Sequence, residues 1–552
     1  MNADIFKSWT TDDLAGIGLV RHEGAIAIDI PQDANIYHMT VGAQIRAGRQ
    51  DAPAIAFETA DGSVERWTFG DVEMQATALA ADLRNRGYGR GDLIGLHTGM
   101  RPETAIAHMA VCKIGATAVT LSQLYGPDAL AHAMNHCQVR CLLSTEAAWA
   151  PLRKEKDQFP HLKDVLVSDT SGSESDLTDI LRAPLLAYFE PEYTGAEDAA
   201  LLMYTSGSTG MPKGILHGHR VLASYRPSIS LFFNLSMHDA DAVFWSPSDW
   251  AWVGGLLDML FPAWMAGRPI VTSEARFKAA WAYDFMARHK VTHTFLAPTA
   301  IKRLAETAEP RAKFDLTLSV ICTGGEALAA ETLAWAENKL GVVCNEFYGM
   351  TEVNHLIGNC AALYPRRPGS MGVAYPGHTV RLVDDEGNDV ADGEQGEIVT
   401  LDTSPTKYLG YLNNAKKDAE LKLGNMMRTH DLAVRDADGY FWYKGRSDDL
   451  IKSSGFRIGP AEIEECLLAH PAVTEVGVIG KPDRDRGSIV KAFIRLSVGA
   501  QGDDVLSAEL KEHVRNRLAP YKAPREITFV ADFEMTSSGK INRRALRAGE
   551  IQ

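Results

Sequence analysis

Long hydrophobic runs are absent from this sequence. The most apolar long stretch, residues 252–271, is interrupted by Asp258, Pro262 and Arg268, whereas a membrane-spanning helix needs about 20 predominantly apolar residues. The N-terminal segment MNADIFK lacks the basic and apolar regions of a secretory signal. We therefore expect neither a signal peptide nor a membrane span, and we predict a cytoplasmic protein.

Cysteine is scarce, with seven scattered residues in 552. An odd, dispersed set indicates reduced thiols rather than a disulfide framework. Cys137 and Cys141 are the only close pair, and even with His136 they lack a second ligand pair at zinc spacing. The sequence His217-Gly218-His219 is interpreted as a loop or helix start. We therefore expect no zinc site.

Basic residues are in the minority, since 56 Lys and Arg stand against 71 Asp and Glu for a net charge of −15. This balance argues against sequence-independent binding of nucleic acid and against attachment to an anionic membrane. Internal repeats and low-complexity runs are also missing, which excludes solenoid folds. An anionic substrate would have to be attracted by local groups.

The length of the chain predicts more than one domain, because 552 residues exceed what one hydrophobic core usually holds. From about residue 67 onward, helical periods at 69–86 and 102–114 alternate with short apolar runs at 92–97, 291–296 and 318–322. Repeated strand-then-helix units predict an α/β fold with parallel sheets covered by helices. Ligand sites in such folds lie at the carboxyl ends of the strands.

The pattern changes after about residue 370, where turn sequences at 384–387, 392–396 and 436–439 predict the hairpins of a small β-rich subdomain. A new α/β pattern begins at Pro460. We place a domain boundary at Asp448, which gives a large N-terminal domain of residues 1–447 and a small α/β C-terminal domain of residues 448–552.

A loop rich in glycine and hydroxyl groups is the strongest local motif. Glycine lets backbone N–H groups approach an anion, and Ser, Thr and Lys add donors and charge. The pattern differs from the NTPase P-loop because Gly214, not Ser or Thr, follows the lysine. A flexible loop without a ligand is the alternative. The predicted phosphate-binding residues are Thr205, Ser206, Gly207, Ser208, Thr209, Gly210 and Lys213.

Four further segments follow in a fixed order: residues 324–327 (GGEA), 348–352 (YGMTE), 445–458 (GRSDDLIKSSGFRI) and 536–541 (TSSGKI). Together with the loop they resemble the adenylate-forming (AMP-binding) family of acyl-CoA synthetases, firefly luciferase and peptide-synthetase adenylation domains. The resemblance extends from about residue 40 to the end and is nearest to the acetyl- and medium-chain acyl-CoA synthetases. It implies an AMP-forming acid–thiol ligase that uses ATP, Mg²⁺ and coenzyme A.

The chemistry of that family explains the residue types. A carboxylate attacks the α-phosphate of ATP, pyrophosphate leaves, and a thiol then opens the mixed anhydride with AMP as leaving group. Two anions meet in the first step, so the site needs cations and oriented donors. The resemblance implies that Lys540 lies between the carboxylate and the α-phosphate, that Thr351 binds this phosphate and that Glu352 holds Mg²⁺. Residues 533–535 (FEM) depart from the usual Leu-Pro-Lys before the lysine segment.

The resemblance also implies a set of nucleotide contacts. Asp431 would accept both ribose hydroxyls, with His430 beside it where relatives have glycine, a replacement that requires ordinary backbone angles at His430. Arg446 and Arg457 would contact ATP on either side of the hinge Asp448, and the ring of Tyr348 would stack on adenine, with a core position as the alternative. The residues expected to frame adenine are Gly325, Glu326, Ala327, Glu346, Phe347 and Tyr348.

The C-terminal domain is expected to be mobile about the hinge. One orientation would bring in Lys540, and the other would present the loop of Ser454, Gly455 and Phe456 to the pantetheine arm of CoA. Residues 511–550 hold nine basic against five acidic residues, which suggests a docking surface for the CoA phosphates with Arg486 and Arg515 as contacts. Ordinary variation of surface charge is the alternative.

The acyl pocket is predicted from four residues. Gly349 stands where acetate-using relatives carry a tryptophan that closes the pocket, and Gly324 is a second glycine in the wall. Trp252 and Val253 match the opposite wall. We interpret the two glycines as leaving space for a medium-chain, branched-chain or aromatic acid. The alternatives are a stand-alone adenylation enzyme for a carrier protein, a luciferase-like oxygenase and a non-catalytic acyl-adenylate or nucleotide sensor. A homo-oligomer is also compatible with the sequence.

Overall fold

The chain forms two compact units. The computed structural model describes residues 6–169, 177–184, 189–205, 212–326, 328–447, 449–453, 456–484, 486–497, 499–535 and 541–549. The first unit comprises residues 1–205, 211–379 and 401–422, and the second comprises residues 206–210, 380–400 and 423–552. The sequence boundary at Asp448, a residue outside the described ranges, stays a prediction.

The first sheet of the first unit has a parallel centre and an antiparallel edge. Its parallel strands run next to one another in the order Ala199–Thr205, Thr117–Thr120, Leu93–His97, Cys141–Thr145 and Asp164–Ser168. Lys213–Gly218 joins Ala199–Thr205 in antiparallel orientation, and Gly410–Tyr411 joins the outer side of that strand. Buried side chains fill nearly all positions of these strands, as expected when helices cover a parallel sheet.

The second sheet of the first unit is also mainly parallel. Within this unit its strands lie side by side in the order Gly372–Ala374, Asn354–Gly358, Val343–Met350, Val320–Thr323, His293–Phe295, Phe244–Trp245, Ile270–Ser273, Pro53–Glu58 and Val64–Thr68. The run from Val343–Met350 to Pro53–Glu58 is parallel, and antiparallel strands flank it on both sides. A separate hairpin pairs Leu19–His22 with Ala25–Ile28.

Helices of the first unit begin at recognisable signals. Thr68 and Asp71 form a capping box before Phe69–Asn85, and Pro102 occupies the first turn of Pro102–Lys113. These two helices confirm the periods seen in the sequence. The others are Thr11–Gly16, Ile36–Met39, Val41–Arg46, Pro127–His136, Glu146–Arg153, Leu177–Arg182, Arg220–Phe232, Val253–Gly255, Phe261–Met265, Ala279–Arg288, Pro298–Ala305, Pro310–Lys313, Ala330–Trp335 and Ala415–Glu420, with π-helical turns at Leu256–Leu260 and Ala336–Leu340.

Two apolar cores lie between these helices and the sheets. One includes Trp245, Phe285 and Ile321, and the other includes Leu142 and Trp149. Removing these side chains from water is the main favourable term in folding of such a unit. The combination of parallel sheets and covering helices confirms the predicted α/β class.

The second unit begins with antiparallel strands and ends with an α/β layer. Val380–Val383, Gln395–Leu401, Met426–Arg435 and Tyr440–Arg446 lie side by side. Gly387, Gly393 and Gly439 have φ near +90° at the predicted turns, a region that glycine enters without strain. The other sheet contains Phe456–Ile458, Ile451–Ser453, Gly487–Leu496, Val473–Asp483 and Glu526–Phe529, with helices Pro460–Leu468, Asp504–Arg517 and Arg543–Ala548.

The cysteines and the two histidines around Gly218 have defined positions in the fold. All seven cysteines are free and buried. Within the described ranges, no group of three or more His, Cys, Asp or Glu side chains could hold a metal ion. His217 lies in strand Lys213–Gly218, and His219 precedes the helix that starts at Arg220. No helix in the described part of the chain combines the length and apolar character needed to cross a membrane.

Candidate active site

The predicted phosphate loop connects two antiparallel strands, which we call the phosphate hairpin (residues 199–218). Thr205 ends the first strand and pairs with Lys213, which begins the second. Both residues are half-buried. Ser206, Gly207, Ser208, Thr209 and Gly210 lie outside the described residues, so the structure places the two ends of the predicted loop opposite each other and nothing more.

Thr351 and Glu352 lie in the turn between strands Val343–Met350 and Asn354–Gly358, and we call this segment the Thr351–Glu352 turn. Met350 pairs with Asn354 across it. Asn354 closes the turn with φ of 56°, a left-handed conformation in which asparagine is enriched among non-glycine residues. Thr351 is half-buried and Glu352 is buried. The two residues implied to handle the α-phosphate and the cation are therefore neighbours on one short, defined turn.

Tyr411 is a partner of Glu352 that the sequence reasoning missed. Its hydroxyl donates a hydrogen bond to Glu352 Oε1, and its backbone pairs with Ile215 of the phosphate hairpin. Burial raises the pKa of the Tyr411 hydroxyl, and the negative charge of the nearby Glu352 carboxylate raises it further. Tyr411 thus links the proposed cation ligand to the phosphate hairpin. Tyr411 and Glu352 are about 60 residues apart in the sequence. No local motif predicts their contact.

The position of Tyr411 is itself fixed by a second tyrosine and an aspartate. Asp418 Oδ1 accepts a hydrogen bond of 3.0 Å from the Tyr411 backbone and one of 2.6 Å from the Tyr408 hydroxyl. The backbone N–H of Tyr408 in turn donates to the carbonyl of Glu352 at 2.7 Å. Glu352 is therefore held at its side chain and at its backbone by the same short segment, residues 408–411.

A buried histidine supports the other half of the turn. His217, on the second strand of the phosphate hairpin, lies near the backbone of Thr351, and burial lowers the pKa of this imidazole to about 3. The ring is therefore neutral at physiological pH. The phosphate hairpin thus contacts the turn through His217 and, by way of Tyr411, through Glu352.

The segment predicted to face adenine follows two neighbouring parallel strands at their carboxyl ends. Thr323 pairs with Glu346 in these strands. Glu346 is buried, and its Oε1 accepts a hydrogen bond of 3.2 Å from the backbone of Leu328. Glu326 Oε2 accepts one of 3.3 Å from Thr299. Glu346 therefore fixes the loop that contains Gly325 and Glu326, although Ala327 lies outside the described ranges.

Phe347 belongs to the hydrophobic interior. Its ring stacks on Phe232 at 5.0 Å and packs edge-on against His355 at 4.4 Å between ring centroids. If Phe347 contacts adenine, the contact would be made by its backbone, because its ring is packed in the interior. Tyr348 follows on the opposite side of the strand and is also buried, so its stacking role stays a prediction.

The prediction that Gly324 and Gly349 leave open space in the acyl pocket is wrong, because neighbouring atoms already occupy that space. A Cβ added at Gly349 would lie 1.9 Å from the carbonyl oxygen of Asn354, and one at Gly324 would lie 2.8 Å from the Phe347 ring. Backbone and an aromatic ring already fill those directions. Glycine is required at both positions by close approach, which the sequence does not reveal. Their membership of an acyl pocket stays a prediction.

Trp252 and Val253 lie at the start of helix Val253–Gly255, and both are half-buried. The Trp252 ring meets Tyr125 edge-on at 5.8 Å. A Cβ at Gly254 would lie 2.5 Å from the ring of Phe295. The ring centroids of Phe295 and Phe347 are 5.9 Å apart. The segment predicted as the second pocket wall is therefore flanked by aromatic rings.

In the second unit, the structure brings the predicted ribose ligand and one predicted arginine together. Asp431 and Arg446 are direct partners on adjacent strands, with Arg446 Nη1 at 3.7 Å from Asp431 Oδ1. Tyr443, which the sequence reasoning missed, donates its hydroxyl to the same oxygen at 3.1 Å. Asp431 is buried. These groups form an acceptor site with a cation beside it, suited to a nucleotide.

His430 does not meet the condition set by the sequence analysis. Its φ is 61°, so it occupies the left-handed region that glycine would enter freely. Histidine is among the residues enriched there, and two contacts hold the conformation. The His430 N–H donates to Glu397 Oε1 at 2.9 Å, and its carbonyl accepts from Ser447 at 2.7 Å. Arg428 also binds Glu397.

The segment of Lys540 lies outside the described residues, but both of its ends are described. Met535 pairs with Ile541 in an antiparallel bridge. Glu534 accepts hydrogen bonds from the Asn542 backbone at 2.8 Å and side chain at 2.6 Å. Phe533 is buried with Ile479 and Phe493. The residues FEM, which depart from the family pattern, therefore anchor the entry to the lysine segment.

The predicted CoA contacts lie at two separate places in the second unit. Arg486 is exposed next to the turn between strands Val473–Asp483 and Gly487–Leu496, where its N–H donates to Asp483. Arg515 pairs with Glu512 at 2.5 Å one helical turn away. Other basic side chains of the region form ion pairs: Lys522 with Glu462, Arg543 with Glu464, and Arg547 with Asp449. Part of the local basic charge is therefore balanced within the unit.

The remaining predicted residues are described only in part or not at all. Arg457 and Phe456 lie in strand Phe456–Ile458, with Arg457 opposite Lys452, and their side chains lie outside the described part. Asp448, Ser454 and Gly455 also lie outside it. As for the cation, one buried carboxylate, Glu352, fits Mg²⁺, which is usually bound by one or two carboxylates together with substrate phosphates.

Comparisons with known proteins show the family to which the chain belongs. A family model of AMP-binding enzymes matches residues 43–412, and a model of the AMP-binding enzyme C-terminal domain matches residues 462–540. An acetyl-coenzyme A synthetase of Bacillus subtilis is 33% identical over 497 residues, covering 88% of this chain and 86% of the relative. The mitochondrial acyl-coenzyme A synthetase ACSM5 of Rattus norvegicus is 33% identical over 545 residues, covering 94% and 91%.

A solved structure extends the likeness to three dimensions. The anthranilate CoA ligase AuaEII in complex with anthranoyl-AMP has a TM-score of 0.83 at 28% identity, covering 94% of this chain and 98% of that one. Both compact units of the chain thus fall within the length that the two proteins share.

Proposed function

We propose that this chain, which belongs to the AMP-binding enzyme family, is an ATP-dependent carboxylic acid:CoA ligase that acts through an acyl-adenylate on a medium-chain, branched-chain or aromatic acid. The family membership carries the general activity, an AMP-forming acyl-CoA ligase. One observation carries the assignment of residues: Glu352 is buried on the turn beside Thr351 and is held by Tyr411 on a strand paired with the phosphate hairpin.

In the proposed adenylation step, the chain binds and orients two anions. Thr351 donates to the α-phosphate, and Lys213 together with the loop of the phosphate hairpin supplies charge and donors to the phosphates. Glu352 would hold Mg²⁺, which supplies charge neutralisation for the departing pyrophosphate. Lys540 would approach the carboxylate and the α-phosphate. Tyr411 and His217 keep the Thr351–Glu352 turn fixed, so little reorganisation is needed when charge develops.

On the second unit, Asp431 would accept the ribose hydroxyls, with the Tyr443 hydroxyl and the Arg446 guanidinium beside it. A guanidinium suits phosphate oxygens better than an ammonium because its donors are planar and fixed. In the second step, Ser454, Gly455 and Phe456 would face the pantetheine arm of CoA, with Arg486 and Arg515 near its phosphates and Asp448 as the hinge. These roles are carried over from the family resemblance.

The proposed class of acid is supported by the aromatic surroundings of the predicted pocket wall. Phe295 lies against Gly254, Phe347 against Gly324, and Tyr125 against Trp252. Such a lining favours an apolar or aromatic acyl group. Relatives named for acetyl and for acyl substrates are equally similar at 33% identity, so identity does not select the acid. A single methylene changes pocket affinity by only about 1–3 kcal/mol.

Two competing functions use the same residues. A stand-alone adenylation enzyme would pass its acyl group to a carrier protein, and it predicts AMP formation without stimulation by CoA. A non-catalytic sensor of acyl-adenylate or nucleotide would bind ATP without turnover. The presence of Lys540 together with Thr351 and Glu352 argues against a sensor, because a sensor has no need for the adenylation lysine.

The test is AMP formation from ATP and Mg²⁺ with acids from acetate to octanoate, branched acids, benzoate and anthranilate, each with and without CoA. We expect CoA-dependent turnover that is highest with an acid larger than acetate. A maximum at acetate would contradict the proposed acid class while leaving the ligase intact. CoA-independent adenylation would favour the carrier-protein enzyme, and binding of ATP without turnover would favour the sensor.

A further inference from the structure

His355 lies in a buried array of three polar side chains behind the Thr351–Glu352 turn. Its Nδ1 is 2.9 Å from the Ser228 hydroxyl, and its Nε2 is 3.0 Å from Asp258 Oδ1. The three side chains come from helix Arg220–Phe232, the π-helical turn Leu256–Leu260 and strand Asn354–Gly358. All three residues are at most 2% exposed. We call them the buried array.

The array has the residue types of a hydrolase triad but not its accessibility. The Ser228 hydroxyl has the carbonyl of Tyr225 as an acceptor at 2.9 Å in addition to its contact with His355 Nδ1. A substrate carbonyl cannot reach a hydroxyl that is 1% exposed within a packed helix. Nucleophilic chemistry by Ser228 is therefore excluded, and the array must act through what it holds.

The array costs stability that apolar residues would not. Burial raises the pKa of Asp258, and the neighbouring His355 opposes this shift. Asp258 Oδ1 and His355 Nε2 lie 3.0 Å apart, within ion-pair distance, and neither atom makes an aligned hydrogen bond in the described part of the chain. A buried pair of this kind is often no more stable than apolar residues of similar volume. Its presence calls for a role.

The element that carries Asp258 is unusual as well. Residues Leu256–Leu260 form a π-helical turn directly after Val253–Gly255, the helix that starts at the predicted acyl wall. π-helical turns are rare and occur frequently at functional sites, because they cost hydrogen-bond geometry in exchange for placing a side chain. Here the side chain that is placed at the centre of the turn is Asp258.

His355 is also directly connected to the reacting segment. It follows Glu352 by three residues, and its backbone pairs with Gly349 on the strand before the turn. Its ring packs against Phe347 of the same strand at 4.4 Å. The array thus joins the strand pair that bears the Thr351–Glu352 turn to the π-helical turn that follows Trp252 and Val253.

We propose that Asp258, His355 and Ser228 are positioning residues that fix the Thr351–Glu352 turn against the acyl-wall segment 252–260, so that an acid bound at that wall meets a correctly placed α-phosphate and cation ligand. The inference rests on the proposed function for the identity of the reaction. None of the three residues touches the reacting atoms. They act through the turn that His355 follows and through the π-helical turn that contains Asp258.

The test compares two variants of the array with one matched control. Asp258→Asn keeps the volume and removes the carboxylate, and Ser228→Ala removes only the hydroxyl partner of His355. Tyr225→Phe is the control, because the Tyr225 hydroxyl is buried in the same place, beside His355, with no hydrogen-bond partner among the described residues. The measurement is acid-dependent ATP–pyrophosphate exchange at varied Mg²⁺, together with the melting temperature.

We expect Asp258→Asn to lower the exchange rate roughly 10- to 100-fold, the scale on which a misplaced group lowers a rate. We also expect it to raise the apparent KM for Mg²⁺, because Glu352 would be displaced. Ser228→Ala should move both quantities in the same direction to a smaller extent, and Tyr225→Phe should change neither by more than about twofold. A purely structural array would change the melting temperature and leave the Mg²⁺ dependence unchanged.

Two results would overturn the inference. One is that folded Asp258→Asn and Ser228→Ala match Tyr225→Phe in rate and in Mg²⁺ dependence. The other is that their lost rate returns fully when the assay temperature is lowered, which would assign the effect to stability. If Asp258→Asn does not fold, Ser228→Ala decides. Calorimetric binding of Mg·ATP separates the two proposals: wild-type binding without exchange on any acid would reject the ligase, while the effect of the variants on Mg²⁺-dependent binding would still test the array.

Discussion

The two segments predicted to carry the chemistry are anchored in different ways. The Thr351–Glu352 turn, in the first unit, is held by buried groups from distant parts of the chain: Tyr411 on Glu352, His217 on Thr351, and the Asp258–His355 pair behind the turn. In the second unit, the two described ends of the Lys540 segment are joined to each other by the Met535–Ile541 bridge and the Glu534–Asn542 contacts, and Phe533 before them packs with Ile479 and Phe493. The turn is held at its reacting residues by groups from distant parts of the chain, whereas the lysine segment is closed mainly by contacts between its own two ends.

This difference fits a division of labour. A group that must be in place for both half-reactions benefits from anchoring by the core, because preorganised groups cost little reorganisation in the transition state. A group needed for one half-reaction only can be carried on a locally closed segment. Four measurements test this comparison, and they are ordered from the largest expected effect to the smallest.

The largest effect is expected from Lys540→Ala. Removing one preorganised charge partner should lower acyl-AMP formation from ATP by at least about 10²–10³-fold. Thioester formation from supplied acyl-AMP should be nearly unchanged and serves as the internal control. The two half-reactions are measured separately by pyrophosphate exchange and by CoA consumption. Equal losses in both would show that Lys540 is not specific to one step, and the proposed division of labour would fail.

The second effect is on stability at low pH and should appear mainly in the first unit. Burial lowers the pKa of six histidines there to about 3 or 4, namely His97, His108, His217, His219, His293 and His378. In the second unit, burial lowers the pKa of His513. The six histidines lead us to expect the larger response to acid in the first unit.

The sign follows from proton uptake on unfolding. A histidine with a folded pKa near 3 or 4 and an unfolded pKa near 6.5 binds a proton only in the unfolded state between those values, so the free energy of unfolding falls as pH drops from 6.5 toward 4. At pH 5 each group contributes at most about 2 kcal/mol. Hydrogen exchange followed in each unit at pH 7.5 and pH 5 measures this loss, and His108→Leu should reduce it. Equal loss in both units would contradict the expectation.

The third prediction concerns Tyr411→Phe, which removes the hydrogen bond to Glu352. A hydrogen bond to a charged group contributes about 1.5–3 kcal/mol, so adenylation should slow by about tenfold or more, with a higher apparent KM for Mg²⁺. Tyr408→Phe is the matched control, because its hydroxyl bonds Asp418 instead. Similar kinetics for the two variants would show that Glu352 does not depend on Tyr411.

The smallest effect is expected at His430 in the second unit. A β-branched residue is poorly tolerated at its φ of 61°, so His430→Val should lower the free energy of unfolding by about 1–2 kcal/mol. His430→Gly is the control and should remain within about 0.5 kcal/mol of the wild type. Urea unfolding measures both, and the KM for ATP reports on the adjacent Asp431. A valine variant as stable as the glycine variant would show that the strain is relieved elsewhere.

Local patterns were sufficient to predict much of the fold. The helical period at 69–86 predicted helix Phe69–Asn85, and the structure shows a capping box of Thr68 and Asp71 at its start. The strand Leu93–His97 and the hairpin turns at Gly387 and Gly439 were found in the same way. Each depends on interactions between near neighbours, so the sequence contains the full signal.

The supports of the site depend on pairings between distant segments. Tyr411 meets Glu352 only because strand Gly410–Tyr411 joins the phosphate hairpin, and Asp258 meets His355 across 97 positions of the chain. The error at Gly349 has the same origin, since the sequence cannot show that the backbone of Asn354 already occupies the space. From residue identity alone we expected Gly349 to leave open space in the acyl pocket. In the fold, the backbone of Asn354 approaches Gly349 so closely that no side chain fits there.

The seven buried cysteines make the protein suitable for site-specific labelling. Burial raises their pKa, for example to about 12 for Cys112 and about 11 for Cys360, so thiol reagents should react with them slowly. Leu124 and Val505, at 68% and 74% exposure, lie one in each unit. Cysteines introduced there should accept a pair of fluorescent or spin labels with little background, and the distance between the labels could then be followed while ATP, acid and CoA are added in turn.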